Sequence, residues 1–253
     1  MIEEHIVWFD TYVRSFLTGD PEHDRHIELK KEHSLKVLAE ARAITRTLDL
    51  SPELARAALL AALYHDVGRF PQYRQYRTFQ DARSENHAHL GARSLRQNRA
   101  LDRLEPGLRG LVLGAVVMHN RRDLPARISA HLDCVARIVR DSDKLDIIRI
   151  MLEYLRPSGK SSDVVTLHVA DVPDCYSLAI VEQIRAGRIG DYALMRYMND
   201  FKLLILSWVF DLNFVAARRA FRDRGHAQEL FQLLPQTAEL TQLQDRIYEV
   251  LNR

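Results

Sequence analysis

The 253 residues include only two cysteines, ten glycines and eight prolines. Cys134 and Cys175 cannot build a disulfide framework, so a reducing compartment is expected. So few turn formers argue against a β-sandwich, which needs them at its many turns. Charge of one sign is lacking too: 36 Lys and Arg face 34 Asp and Glu, a formal net charge of +2. That leaves no overall field of the kind that gathers polymeric nucleic acid or an anionic membrane surface. No apolar run approaches the roughly 20 residues of a bilayer span. The most apolar stretch, Leu54 to Tyr64, is interrupted by Arg56. The opening MIEEHIVWFD carries acids where a secretory signal needs positive charge. A soluble, cytoplasmic protein with no membrane partner is expected. What the chain does have is a globular share of hydrophobic residues, 47%, and eleven histidines.

Nearly every segment reads with helical period. One helix is predicted over about Ile27 to Leu48, a stretch free of Gly and Pro. Ser51-Pro52-Glu53 then offers a cap, a first-turn proline and an acid for an Ala- and Leu-rich helix ending at Gly68. Arg69 to Arg83 is polar and aromatic without period and reads as a long surface loop. Ser84 can cap a short helix from Glu85 to about Asn98, and Leu108 to Asn120 and His131 to Tyr154 read as two more. Arg156-Pro157-Ser158-Gly159 breaks the pattern. Residues 1–155 are accordingly expected to form a core, and 156–253 a helical extension packed on it or continuous with it. Within the extension, Val164-Val165-Thr166-Leu167 suits a short strand, and two or three amphipathic helices follow from about Ser177. The fold class expected is all-α.

Helical spacing shows which polar side chains point inwards. His33 shares a face with Val37, Ala41, Ile44 and Leu48, and His119 with Ala115, Val112 and Leu108. In Arg140-Asp141-Ser142-Asp143-Lys144-Leu145-Asp146, Asp143 lies in line with Val139, Ala136, Leu132, Ile147 and Ile150. Asp141 has Arg137 one turn back and Asp146 has Ser142, so Asp143 alone is expected to aim wholly into the core. His65-Asp66 sits at the end of the most apolar helix. A single inward histidine is most often a hydrogen-bonded core residue, and a single aspartate a cap or an arginine's partner. Taken together, His33, His65, Asp66, His119 and Asp143 would be costly to bury without a cation. One or two divalent ions would organise them, and imidazole with carboxylate suits Mn, Fe, Co, Ni or Zn.

His33, then His65-Asp66, then Asp143 resembles the H…HD…D signature of the HD-domain superfamily of metal-dependent phosphohydrolases, over about residues 26 to 150. Leu63-Tyr64-His65-Asp66-Val67-Gly68-Arg69-Phe70 and Glu32-His33-Ser34 are similar to a bacterial branch of it that lacks a GYP motif. The resemblance implies an all-α helical bundle with additional C-terminal helices. It also implies that His33, His65, Asp66 and Asp143 hold one divalent ion, Mg included among the candidates, with Asp66 bridging to a second. His87-Ala88-His89-Leu90-Gly91 resembles the H-x-x-[IL]-G element of binuclear members, which gives the second ion His87, or else its neighbour His89, together with His119. Asn120 stands where the cyclic-dinucleotide phosphodiesterases of the superfamily have a further histidine, so that substrate class is not expected.

The implied activity is hydrolysis of a small phosphate ester, with nucleotides the expected class, by a metal-activated water. Asp66 is its central residue. Arg69 and Lys144 are candidate phosphate partners, balanced against a role as solvated surface charges, and Lys30 is a weaker candidate. Arg69, Arg74, Arg77 and Arg83 interleaved with Phe70, Tyr73, Tyr76 and Phe79 could grip a nucleotide by charge and stacking. Two other functions fit the same ligand pattern: a di-iron oxygenase of the HD fold, and a nucleotide-binding regulatory module with a structural metal. The apolar stretch Phe201 to Phe210 reads as a packed helix that could cover the site or join two copies of the chain.

Overall fold

The computed structural model describes residues 2–156 and 169–253, and every regular element among them is helical. The all-α expectation holds; the strand expected at Val164 to Leu167 lies outside the described residues. α1 (Ile2–Arg14), α2 (Pro21–Thr45), α3 (Pro52–Tyr64), α4 (Arg69–Tyr76), α5 (His87–Gln97) and α6 (Pro106–Met118) lead to the long α7 (Ala130–Leu155). α8 (Leu178–Arg185), α9 (Met198–Ser207), α10 (Val215–Asp223), α11 (His226–Gln232) and α12 (Ala238–Leu251) follow. The chain divides into two compact units, residues 1–146 and 147–253, and the division falls inside α7.

α3 is the axis of the first unit. It packs against α1, α2 and α6, and Ala57, Ala58 and every residue from Leu60 to Tyr64 are buried. A helix apolar on all sides is one enclosed on all sides. Its start is set by Ser51, whose side chain accepts from Leu54 N, and by Pro52 in the first turn. Asp20 caps α2 in the same way, accepting from Glu22 N and His23 N. α1 is held to this axis by aromatic edges: Phe9 meets Tyr64 and Phe70 at ring-centroid distances of 6.4 and 5.8 Å. His5 Nδ1 lies 2.9 Å from the Tyr64 hydroxyl. Tyr64→Phe keeps the rings and removes that bond, and is expected to cost about 1 kcal/mol. Urea unfolding should show this as a lower midpoint with an unchanged slope.

The structure corrects three local expectations. Arg69 to Arg83 is not a loop: Arg69–Tyr76 is α4, and Asp81–Arg83 is a 3₁₀ turn. Pro71 marks no helix end because it sits in the first turn of α4, where its missing N–H is not needed. Asn86, not Ser84, caps α5, accepting from Ala88 N at 3.0 Å and His89 N at 3.1 Å. The single-face reading of α7 also fails. Asp141 and Asp146 are buried, whereas Asp143 keeps 18% of its side chain exposed. α7 is enclosed around more than one face, so the apolar stripe did not mark the only inward direction.

One close approach fixes α5. A Cβ on Gly68 would stand 2.1 Å from His87 O and 2.5 Å from Gly91 N, both backbone atoms. Only glycine lets the start of α4 and the first turns of α5 meet there.

In the second unit, from Ser177 onwards, five α-helices replace the two or three expected. Its packed segment is α9, which ends at Ser207 and gives way to a 3₁₀ turn, Trp208–Asp211. Buried Asp200 accepts from the Ser177, Arg196 and Tyr197 backbone N–H groups, which makes it an organiser of that unit's loops.

Candidate metal centre

Five elements of the first unit deliver side chains to one buried point. His33 comes from α2, His65 and Asp66 from the turn that ends α3, His87 from the first residue of α5, His119 from the end of α6, and Asp143 from α7. They fall into two groups. His33, His65 and Asp143 bring ligand atoms within 4.8 Å of one another, and so do Asp66, His87 and His119. The groups adjoin: the rings of His65 and His119 meet edge-on with centroids 5.1 Å apart.

Asp66 stands between them. Its Oδ2 lies 3.7 Å from His33 Nε2 and 3.8 Å from His65 Nε2, and its Oδ1 lies 3.3 Å from His87 Nε2 and 3.8 Å from His119 Nε2. Each oxygen also has one cation beside it, Lys30 Nζ at 2.8 Å from Oδ2 and Arg69 Nε at 3.3 Å from Oδ1. Burial alone would raise the Asp66 carboxyl pKa. Lys30 and Arg69 outweigh it and hold the group well below the usual carboxylate range.

The other nitrogen of each imidazole decides what the site can take. His65 Nδ1 lies 2.8 Å from Ala62 O and His119 Nδ1 lies 2.7 Å from Val116 O. A carbonyl oxygen only accepts, so both Nδ1 atoms donate and both Nε2 atoms of the neutral rings are bare. His33 Nδ1 faces Asp146 Oδ2 at 2.7 Å, and His87 Nδ1 faces both oxygens of Asp81 at 2.8 and 2.9 Å. All four rings therefore turn Nε2 inwards. There His33 meets His65 at 3.2 Å, and His87 meets His119 at 3.0 Å. With the rings neutral, lone pairs face lone pairs and carboxylate oxygens in a buried space. Each buried acceptor without a donor costs about 1–3 kcal/mol, and a cation relieves the whole set. Burial holds His87 down to about 4 in spite of Asp81, so its ring is neutral at ordinary pH. His33 moves the other way: burial lowers its pKa, but Asp143 and Asp146 raise it further.

The remaining sequence candidates fall out plainly. His87 is buried and His89 exposed, so of that pair only His87 reaches the cluster. Arg69 is partly buried, and its guanidinium donates to Gln72 Oε1, Phe79 O and Asp81 Oδ1 as well as to Asp66. Lys144 is half-buried on α7, one residue past Asp143 and so roughly 100° further round the helix. Lys30, the weaker candidate from the sequence, is the one in contact with Asp66. Of the four aromatics from Phe70 to Phe79, Phe70 and Tyr73 are buried in packing, which leaves Tyr76 and Phe79 reachable. Asp81 and Asp146 went unrecognised. No apolar stripe could point to Asp81, which lies outside the α-helices, and Asp146 had been paired with Ser142. Arg140 was also missed: it is buried and donates to the carbonyls of His119, Arg121 and Arg122, fixing the chain where His119 leaves α6.

Residues 31–148 match the HD domain family. That segment is an HD domain. The matched segment contains all six histidines and aspartates of the two groups, together with Asp81 and Asp146. HD domains are all-α, bind divalent metals and belong for the most part to metal-dependent hydrolases. No curated protein and no solved structure matches the chain. Among the described residues, no helix is long and apolar enough to cross a membrane.

Proposed function

We propose that this protein is a phosphohydrolase that cleaves a small phosphate ester with water activated by two divalent ions. His33, His65 and Asp143 would hold one ion, His87 and His119 the other, and Asp66 would bridge them. The observation that carries the reading is the four imidazole Nε2 atoms turned inwards onto one another and onto the two oxygens of Asp66. Bound there, the ions would lower the pKa of a water and take up charge on the phosphoryl oxygens and the leaving group. The chain's own part is to fix the ligands and to place cations. Lys30 and Arg69 flank Asp66 on either side, where a phosphoryl group brought to the centre would meet them. Arg69 has other carboxyl and carbonyl partners and acts mainly as a fixed positive wall, whereas Lys30 is on a flexible stem and can follow a substrate oxygen. Nucleotides are the class proposed, supported by Phe79, whose half-buried ring lies 5.5 Å from Lys30 Nζ.

The test is phosphate release from a panel of nucleotides and sugar phosphates with added Mn²⁺. Turnover is expected, and its loss on chelation should return on adding metal. If the protein holds metal and releases phosphate from nothing, the reading is wrong; oxygen uptake by the iron-loaded protein would then identify the oxygenase. Metal removal should also be visible without substrate. Each ion at a hundred times its dissociation constant stabilises the folded state by about 2.7 kcal/mol, so two contribute about 5.4 kcal/mol. Chelation of both is thus expected to lower Tm by roughly 10–20 °C for a protein of this size, read by calorimetry.

A further inference from the structure

Each group of the centre holds one histidine through a backbone carbonyl and one through a carboxylate. For the first group the carboxylate is Asp146, on the same helix as Asp143, with a side chain 2% exposed. For the second it is Asp81, with a side chain 30% exposed on the short Asp81–Arg83 turn. Asn86 fills the N-cap place on α5, and Asp81 accepts only a long bond, 3.4 Å, from the His87 backbone N–H. It gathers donors from separate parts of the fold instead: Arg69 Nη1 at 3.0 Å and Gln72 Nε2 at 2.9 Å from α4, Asn120 Nδ2 at 3.2 Å from beyond α6, and His87 Nδ1 from α5. The buried Gln72 amide also donates to Ser84 Oγ and Glu85 O, so the same anchor holds the segment that leads into His87.

We propose that Asp81 is the positioning residue of His87, and that it makes the Asp66/His87/His119 group the exchangeable half of the centre and the His33/His65/Asp143 group the retained half. The inference rests on the reading of the two groups as ion sites. An ionised carboxylate on Nδ1–H orients the ring and makes Nε2 a stronger donor to metal. Asp146 does this from within a long helix, shielded from water. Asp81 does it from a partly exposed turn, where water competes for its oxygens and local opening is easier than in the middle of a helix. When that turn opens, His87 loses its orientation while Asp146 and His33 keep theirs.

The experiment follows Mn²⁺ content per chain, by elemental analysis and electron paramagnetic resonance, during dialysis of the full-length protein against a chelator. Two ions should leave in two steps. Asp81→Asn should weaken the more easily lost ion by about 10- to 100-fold and leave the other within about threefold. Asp146→Asn should weaken the retained ion instead, and Asp81→Glu should restore part of the loss. The retained ion and the far-UV circular dichroism report that the fold is intact. If Asp81→Asn does not fold, Asn120→Ala, which loosens Asp81 without altering it, should speed loss of the first ion to leave and not the second. Loss of both ions in one step, or equal weakening of both by Asp81→Asn or Asn120→Ala, would overturn the inference while leaving a two-ion centre standing. A wild type that never takes up more than one ion would overturn the two-ion reading as well.

Discussion

Asp66→Ala is expected to lower phosphate release at least about a thousandfold and to reduce bound metal from two ions to one or none. The size follows from the position of the side chain. Each of its oxygens faces one histidine pair, so removing it takes a ligand from both ions at once. Metal ions supply several kcal/mol of charge stabilisation in such reactions, and about 4 kcal/mol is a thousandfold in rate. The substitution also leaves Lys30 and Arg69 facing a centre without its anion, which works against the return of a cation. Asp66 lies in the turn between α3 and α4 and supplies no apolar packing, so helicity should be unchanged. Asp66→Asn keeps the shape and loses the charge, and is expected to retain at most one weak ion. Elemental analysis beside the activity assay checks both variants, and full metal retention by Asp66→Ala would remove this aspartate from the ligand set.

Gly68→Ala is expected to have the largest effect on stability of any single methyl group added to the first unit. Its Cβ would meet two backbone atoms of α5 at distances no real Cβ adopts, and neither is the end of a flexible side chain that could swing away. Overpacking of this kind usually costs about 1–3 kcal/mol, occasionally more, and here relief requires α5 to move as a body. The upper end, about 3 kcal/mol, corresponds to a fall in Tm of roughly 6–12 °C for a chain of this length. Because His87 opens α5, the same displacement should also weaken metal binding. Gly91→Ala is the milder companion. Its Cβ would lie 3.2 Å from Gly68 N and 3.3 Å from a Val67 methyl, contacts that a few tenths of an ångström relieve. Equal melting temperatures for Gly68→Ala and wild type would show that the two segments separate more readily than this contact implies.

The helical fold was legible because an apolar stripe at helical spacing has one natural interpretation, and α2, α3, α6 and α7 all carry one. His33 and His119 were legible for the same reason: a histidine in line with Val37, Ala41 and Ile44 has nowhere to point but inwards. α4 was not legible, since Arg69–Tyr76 buries only Phe70, Gln72 and Tyr73 and its burial comes from contacts distant in sequence. The face argument failed for Asp141 and Asp146 because it assumes a helix with one wet side, whereas α7 is enclosed at Asp141, Ser142, Leu145 and Asp146 alike. Asp81 depends on Gln72, His87 and Asn120 converging from three elements, and no local pattern encodes that convergence. Choosing His87 over His89 required the start of α5 to be known to within a residue, and the cap by Asn86 supplies that.

His65 and His119 occupy equivalent places: each is the residue that closes a helix, α3 and α6 respectively. Each sends its Nδ1–H back to a carbonyl of the last turn, at Ala62 and Val116. Two helix C-termini therefore converge on the centre, and each carries about half a negative charge from its aligned peptide dipoles. A divalent ion entering this space would be attracted by the ends of the backbone as well as by the six side chains of the proposed centre. It would also act as a terminal cap shared between two helices, so demetallation is expected to register as faster amide exchange in the last turns of α3 and α6.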